Sequence, residues 1–432
     1  MIRYAMAFAA FVVPVSVQAE VSIQQVTSPG GIKAWLIEEP SIPFTAMEIM
    51  FDGGAALDPA DQRGAANLMM ALLEEGSGDM DSRAFQAAQE ELAASFGFDV
   101  YDEATTVSAQ FLTENREASV ALLKQALTDP LFERSAIDRV RAQVLSGLAS
   151  DEKDPNTIAS QTFDQLAFGE HPYAFDRNGS AKTVTGLTQE DMFAAHRRLI
   201  AKDRLFVGAV GDITAVELST ILDDLFGTLP NSVAGDVPET DVALTGGVTV
   251  VDQPFPQSVA LFGHEGIDRD DPDFFAAYIL NHVVGGAGFE SRLTQEVREE
   301  RGLTYGVSSF LVGKEQANLY MGQVASANDR IAEAIEVIRN EWALAAEQGL
   351  TKKELEDAKL FLTGAYPLRF DGNARIANIL VGMQWQGLDI DYIADRNDRV
   401  NAVTLDDVNR VAAELLQPDN LRFVVVGQPE GL

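Results

Sequence analysis

The feature that most constrains this chain is an internal repeat. Leu187-Thr-Gln-Glu-Asp-Met and Asp203-Arg-Leu-Phe-Val-Gly-Ala-Val-Gly211 align without gaps on Val403-Thr-Leu-Asp-Asp-Val and Asp419-Asn-Leu-Arg-Phe-Val-Val-Val-Gly427, at an offset of 216 residues. Thr188/Thr404, Asp191/Asp407, Asp203/Asp419 and Gly211/Gly427 are among the identical pairs. Each copy reads as a helix capped by Thr with a carboxylate at its third residue, then a turn and a β-rich strand that ends in Gly. A duplication of this length implies two copies of one supersecondary plan, each with its own core.

The starts of the two halves agree with that reading. Lys33 to Ile37 and Thr45 to Phe51 read as paired strands followed by a helix from Gly64 to Glu74. Val248 to Val251 and Ser258 to Gly263 read the same way, followed by a helix from Asp273 to Val284. Each half then supplies a further strand pair, Phe98 to Tyr101 with Thr105 to Leu112, and Thr304 to Val312 with Ala317 to Val324. Two duplicated α+β domains follow, over residues 20–230 and 247–432. Residues 231–246, rich in Pro, Gly and acids, have the composition of an exposed linker.

Charge and cysteine content narrow the function. Thirty-two basic against 66 acidic residues give a net charge of −34, which repels a phosphate backbone and excludes nucleic acid as a natural partner. Cys is absent, so neither a disulfide framework nor thiolate chemistry is available. Residues 1–19 carry one basic residue, Arg3, then an apolar run from Ala5 to Val17, and Val17-Gln18-Ala19 before Glu20 has the small-residue pattern of a signal-peptide cleavage site. The expectation is an exported, periplasmic protein whose mature chain starts near Glu20 and holds no membrane span.

The stretch from Phe51-Asp-Gly-Gly-Ala-Ala through Leu293-Thr-Gln-Glu-Val-Arg-Glu-Glu-Arg-Gly-Leu-Thr-Tyr305 to the last strand resembles the insulinase/pitrilysin family of zinc peptidases in its short bacterial form. The resemblance implies two metalloprotease-like α/β sandwich halves facing each other like a clam shell. It also implies a His-x-x-Glu-His helix, with two His one turn apart as zinc ligands and the Glu activating a water. Here Asn67 and Ala71 stand where those His belong, and Met70 stands where the Glu belongs. The family's downstream Glu ligand falls near Gly147. No pair among the four His, at 171, 196, 264 and 282, has helical i,i+4 spacing, so no zinc is expected in this chain. His171 and His282 read as surface or packing residues, and Glu74 and Glu75 as solvated charges.

Arg298 and Tyr305 are the remaining candidates. The pattern ends a helix at Gln295 to Arg301, stops it at Gly302 in the left-handed region, and opens a strand at Thr304. From spacing alone Arg298 can simply complement a helix C-terminus while Tyr305 packs. The resemblance implies more: an Arg and Tyr at this spacing bind the substrate backbone and stabilise the oxyanion formed on water attack. Some bacterial relatives place the zinc motif and the Arg/Tyr pair on separate chains. The resemblance therefore implies a zinc-lacking subunit that donates Arg298 and Tyr305 to the zinc site of a homologous partner acting on peptides. A non-proteolytic scaffold or a peptide-binding module on the same fold is the alternative. Gly285-Gly-Ala-Gly288 lacks the Lys-Ser/Thr of a phosphate loop and reads as a helix link.

Overall fold

The computed structural model describes residues 22–432; the expected signal peptide lies outside them. Strands β1 (Gln24–Thr27), β2 (Lys33–Glu38) and β3 (Phe44–Asp52) are followed by a two-residue hairpin, β4 (Gly76–Ser77) with β5 (Met80–Asp81). Then come β6 (Ser95–Val100), β7 (Ala104–Leu112) and β8 (Leu205–Gly211). The second half supplies β9 (Gly247–Asp252), β10 (Gln257–Glu265), β11 (Val307–Gly313), β12 (Asn318–Ala327) and β13 (Arg422–Gly427).

The first sheet runs β1-β2-β8-β3-β7-β6 and the second β11-β12-β10-β13-β9. Set β2, β8, β3, β7, β6 against β9, β13, β10, β12, β11 and the two sheets share one order, with β1 as the extra edge strand. In each, the strand that closes the half pairs parallel with the first strand and antiparallel with the second: β8 on β2 and β3, β13 on β9 and β10. This corrects the expected pairing, because the opening strands are not neighbours. The returning Gly-terminated strand of the repeat lies between them, and that non-local pairing leaves no mark on local alternation. The caps read from the repeat are present: the Thr188 and Thr404 hydroxyls accept from the Asp191 and Asp407 amides, and the two carboxylates reach back.

Helices cover one face of each sheet, and the other face is covered by a helix from the opposite half. The Pro155–Phe168 helix of the first half lies on β10 and β13, and the Asn373–Trp385 helix of the second half lies on β3 and β8. These two helices stand close to one repeat length apart, so the exchange is reciprocal. Phe163, Ala167 and Phe168 pack with Leu319, Met321, Val424 and Val426, while Ala377, Leu380 and Met383 pack with Trp35 and Val210. Glycines on the covered strands permit the close approach: a Cβ on Gly208 would stand 2.6 Å from the Ala377 carbonyl oxygen, and one on Gly263 would stand 3.1 Å from Phe163 Cζ. The β11–β12 hairpin adds a polar seam, with Lys314 paired to Asp102 and the Glu315 amide donating to the Glu103 carboxylate at 2.8 Å.

Residues 231–246 form neither helix nor strand before β9, yet the stretch is less exposed than its composition implies. Val237 is buried against the core under the exchanged helix, Arg204 donates to the Ala234 and Gly235 carbonyls, and the Ala243 amide donates to Ala167. Its apolar residues are drawn into the seam between the halves.

Candidate functional site

The degenerate motif sits on a short helix, Ala65–Ala71, which ends three residues before the expected Glu74. Turns and the β4–β5 hairpin follow, led by Gly76 at φ +135°, a conformation closed to a continuing helix. The helix start is tied down by Asp58, whose carboxylate accepts from the Gly64 and Ala66 amides at 3.0 and 3.1 Å and pairs with Arg198. Burial still pushes Asp58 up to about 6 against the pull of Arg198. Asn67 and Ala71 lie one turn apart on the half-exposed side, whereas Met70 is 1% exposed within the first-half core. Gly147 is exposed on the Arg134–Asp151 helix, which packs against the motif helix. An amide, a thioether, a methyl and a hydrogen replace the ligands and the base, so the residues present do not fit zinc. Among the described residues no group of three or more His, Cys, Asp or Glu is placed to hold a metal ion.

The four His are engaged elsewhere. His171 packs edge-on to Tyr173, His282 stacks on Phe361, His196 contacts the Leu127 carbonyl at 2.8 Å, and His264 accepts from Trp342. Burial lowers all four. Glu74 and Glu75 are not the solvated charges expected. Glu74 is half-buried and raised by desolvation, and Glu75 pairs with Arg139.

In the second half, Arg298 lies near the end of Thr294–Glu299, where the Glu300 amide reaches five residues back to Gln295 in a π-helical turn. Gly302 at φ +60° ends it as expected, its amide bonded to the Arg298 carbonyl at 2.8 Å. The strand opens at Val307, not Thr304, which leaves Tyr305 in a bend between the two elements. That bend is anchored on both sides. Arg330 donates to the Gly302 and Arg301 carbonyls at 2.8 and 2.9 Å, Ser326 donates to the Leu303 carbonyl, and Thr304 joins Gly306 to Ala325. The Arg298 Nε lies 3.4 Å from Glu299, with its side chain one-third exposed. Tyr305 is 89% exposed, so it does not pack. The backbone that carries Tyr305 is fixed, and its phenol reaches solvent with a hydroxyl able to donate. The anchors of the bend were not readable from the sequence, because Arg330 and Ser326 carry no local motif.

Residues 33–175 match the family described as insulinase, peptidase family M16, and residues 186–362 match the domain described as peptidase M16 inactive domain. The chain belongs to the M16 insulinase family. A non-peptidase homolog, YmxG, of Helicobacter pylori is 25% identical over 393 residues, 90% of each chain. An uncharacterized zinc protease of Streptomyces coelicolor is 25% identical over 405 residues, 91% of this chain and 87% of its own. The crystal structure of a peptidase M16 inactive domain from Pseudomonas fluorescens superposes with a TM-score of 0.87 at 28% identity, covering 94% of this chain and 98% of that one. Within M16 the chain is of the inactive kind, with the family's fold and a first-half motif that lacks every zinc-binding side chain. No helix among the described residues is long and apolar enough to cross a membrane.

Proposed function

We propose that this chain is the zinc-lacking, substrate-binding subunit of a two-chain periplasmic metallopeptidase, supplying Arg298 and Tyr305 to the zinc site of a homologous M16 partner. One observation carries the reading: the first-half motif cannot hold metal, while in the second half Arg298 closes a π-helical turn and Tyr305, on the anchored bend that follows, turns its phenol to solvent. In that role the guanidinium and phenol hold the peptide backbone and donate to the carbonyl oxygen as negative charge develops on it. The metal and the water it activates belong to the partner.

Mixing this chain with a zinc-motif homologue from the same cell should create peptidase activity on a quenched peptide that this chain lacks alone. Arg298→Ala should then lower that activity by about 10²-fold, the scale of one lost oxyanion donor, while co-elution with the partner on gel filtration persists. Tyr305→Phe should also reduce it. Variants that pair and remain fully active would refute the assignment. The H. pylori relative is named a non-peptidase homolog, which supports a second reading, a non-proteolytic scaffold or peptide-binding module. A complex that forms but has no activity in any combination would favour it.

A further inference from the structure

A cavity of about 940 Å³ opens in the second half, away from Arg298 and Tyr305, between the start of the Phe274–Asn281 helix, the chain after Gly364, and the exchanged Asn373–Trp385 helix. Four arginines line it, Arg269, Arg369, Arg375 and Arg396, and no Asp or Glu does. That composition stands against the chain as a whole, in which acids outnumber bases 66 to 32. Among the described residues none of the four guanidiniums is within 4 Å of a carboxylate, although other arginines of the chain are paired.

Two of the four are held by aromatic faces and neutral oxygens instead. Arg269 lies 4.2 Å from the centre of the Phe274 ring and donates to the Tyr392 hydroxyl. Arg396, only 4% exposed, donates to the Leu362 carbonyl at 2.7 Å and lies 4.5 Å over Tyr366. Such contacts fix a guanidinium without neutralising it. Burial pushes the Tyr366 phenol up to about 12, while Arg396, Arg369 and Arg269 pull the other way. None of the acids that flank Arg269 in sequence lines this cavity: Asp268 accepts from the Asp270 amide and from Asn318, while Asp270, Asp271 and Asp273 line a neighbouring pocket on the other side of Arg269, where Asp271 accepts from the Asp273 amide and Asp273 pairs with Arg410. At the mouth, Arg369 and Arg375 are exposed beside Leu368, itself 74% exposed.

We propose that this cavity is a binding site for an acidic peptide segment, one with carboxylates next to apolar side chains. Arg369 and Arg375 at the mouth meet the carboxylates in bidentate geometry, the aromatic wall takes the apolar side chains, and the Gln386 amide reaches the peptide backbone. The volume holds several residues, more than a simple anion needs. The net negative surface repels an acidic peptide elsewhere, which confines its capture to this patch. The site does not depend on the metallopeptidase reading, and its test uses this chain alone.

Isothermal titration of the purified chain with acetyl-Asp-Glu-Leu-Phe-Glu should give one site per chain. The isosteric acetyl-Asn-Gln-Leu-Phe-Gln-amide should bind at least tenfold more weakly, and inorganic phosphate at the same concentration should not displace the acidic peptide. Arg369→Glu combined with Arg375→Glu should weaken the acidic peptide at least tenfold while leaving the urea midpoint unchanged, because both side chains are exposed. Equal binding of acidic and neutral peptides, displacement by phosphate, or full affinity in the double variant would each overturn the proposal.

Discussion

The exchanged helix of the second half closes over an ionisable group, and its removal gives a measurable signature. Glu48 on β3 is 8% exposed under the Asn373–Trp385 helix, and burial raises it from 4.5 to about 7, against an Asn378 hydrogen bond that favours the charged form. The folded protein therefore binds the Glu48 proton more tightly than the unfolded chain does. The stability this provides is fully present below pH 4.5 and is lost as pH rises through about 7. At ~1.36 kcal/mol per pH unit the gap corresponds to about 3 kcal/mol, of which roughly 2.5 kcal/mol falls between about pH 5 and pH 8.5. Glu48→Gln keeps the shape and a partner for Asn378 but has nothing to ionise. Urea unfolding of wild type and variant at both pH values isolates the effect, because Asp58, Asp164 and Glu315 are also raised but titrate in both proteins. The variant should gain roughly 2.5 kcal/mol on wild type as pH rises. Parallel curves would refute the reasoning, since they would mean that Glu48 ionises freely and that the helix does not exclude water from β3.

Gly208→Ala should lower the melting temperature by the equivalent of about 1–3 kcal/mol, because its Cβ would meet the Ala377 carbonyl and lever the exchanged helix off the sheet; an unchanged melt would contradict that packing. Limited proteolysis should cut first within 231–246, and the two fragments should co-elute until denatured because each half carries a helix of the other. First cuts elsewhere, or fragments that separate in native buffer, would count against this. Metal analysis of the purified chain should find zinc far below one per molecule; a ratio near one, lost on mutating His, would refute the reading of the motif.

The duplication was legible because helix caps and Gly-ended strands are local signals: Thr188 with Asp191 and Thr404 with Asp407 cap as their spacing implies. What binds the halves together was not legible. Apolar residues such as Phe163 and Leu380 announce that their helices are buried, but nothing in a 3.6-residue period says which sheet buries them. The same limit hid the insertion of β8 between β2 and β3, a partner more than 150 residues away in sequence. At the site, Gly302 marked the helix stop before Tyr305. The exposure of Tyr305 was not readable, because a Tyr at a strand entrance packs as readily as it projects. The π-turn carrying Arg298 was missed for a related reason: it is chosen by how the surrounding chain seats it, not by residue type.

The four positions of the lost motif differ in what they would now tolerate, and this yields a prediction. Asn67 and Ala71 are half-exposed, so imidazoles there cost little. Gly147 is open, with no atom within 4 Å of where a Cβ would stand, and Gly→Glu in a helix gains on the order of 0.5–1 kcal/mol. Met70 is different: it is packed in the core beside Leu73, where a carboxylate without a cation loses hydration and gains no partner. With no zinc beside it, an apolar residue at 70 stabilises the fold where a carboxylate would not. The triple variant Asn67→His, Ala71→His, Gly147→Glu should keep the wild-type melting temperature without metal and rise on adding zinc. Adding Met70→Glu should lower the metal-free melting temperature sharply, by several kcal/mol in equivalent stability, with part of the loss recovered on zinc binding. If the triple variant takes up no zinc, the helix carrying residues 67 and 71 has turned away from the Arg134–Asp151 helix and the ligand frame is lost. If Met70→Glu is neutral without metal, position 70 is wetter than its burial implies.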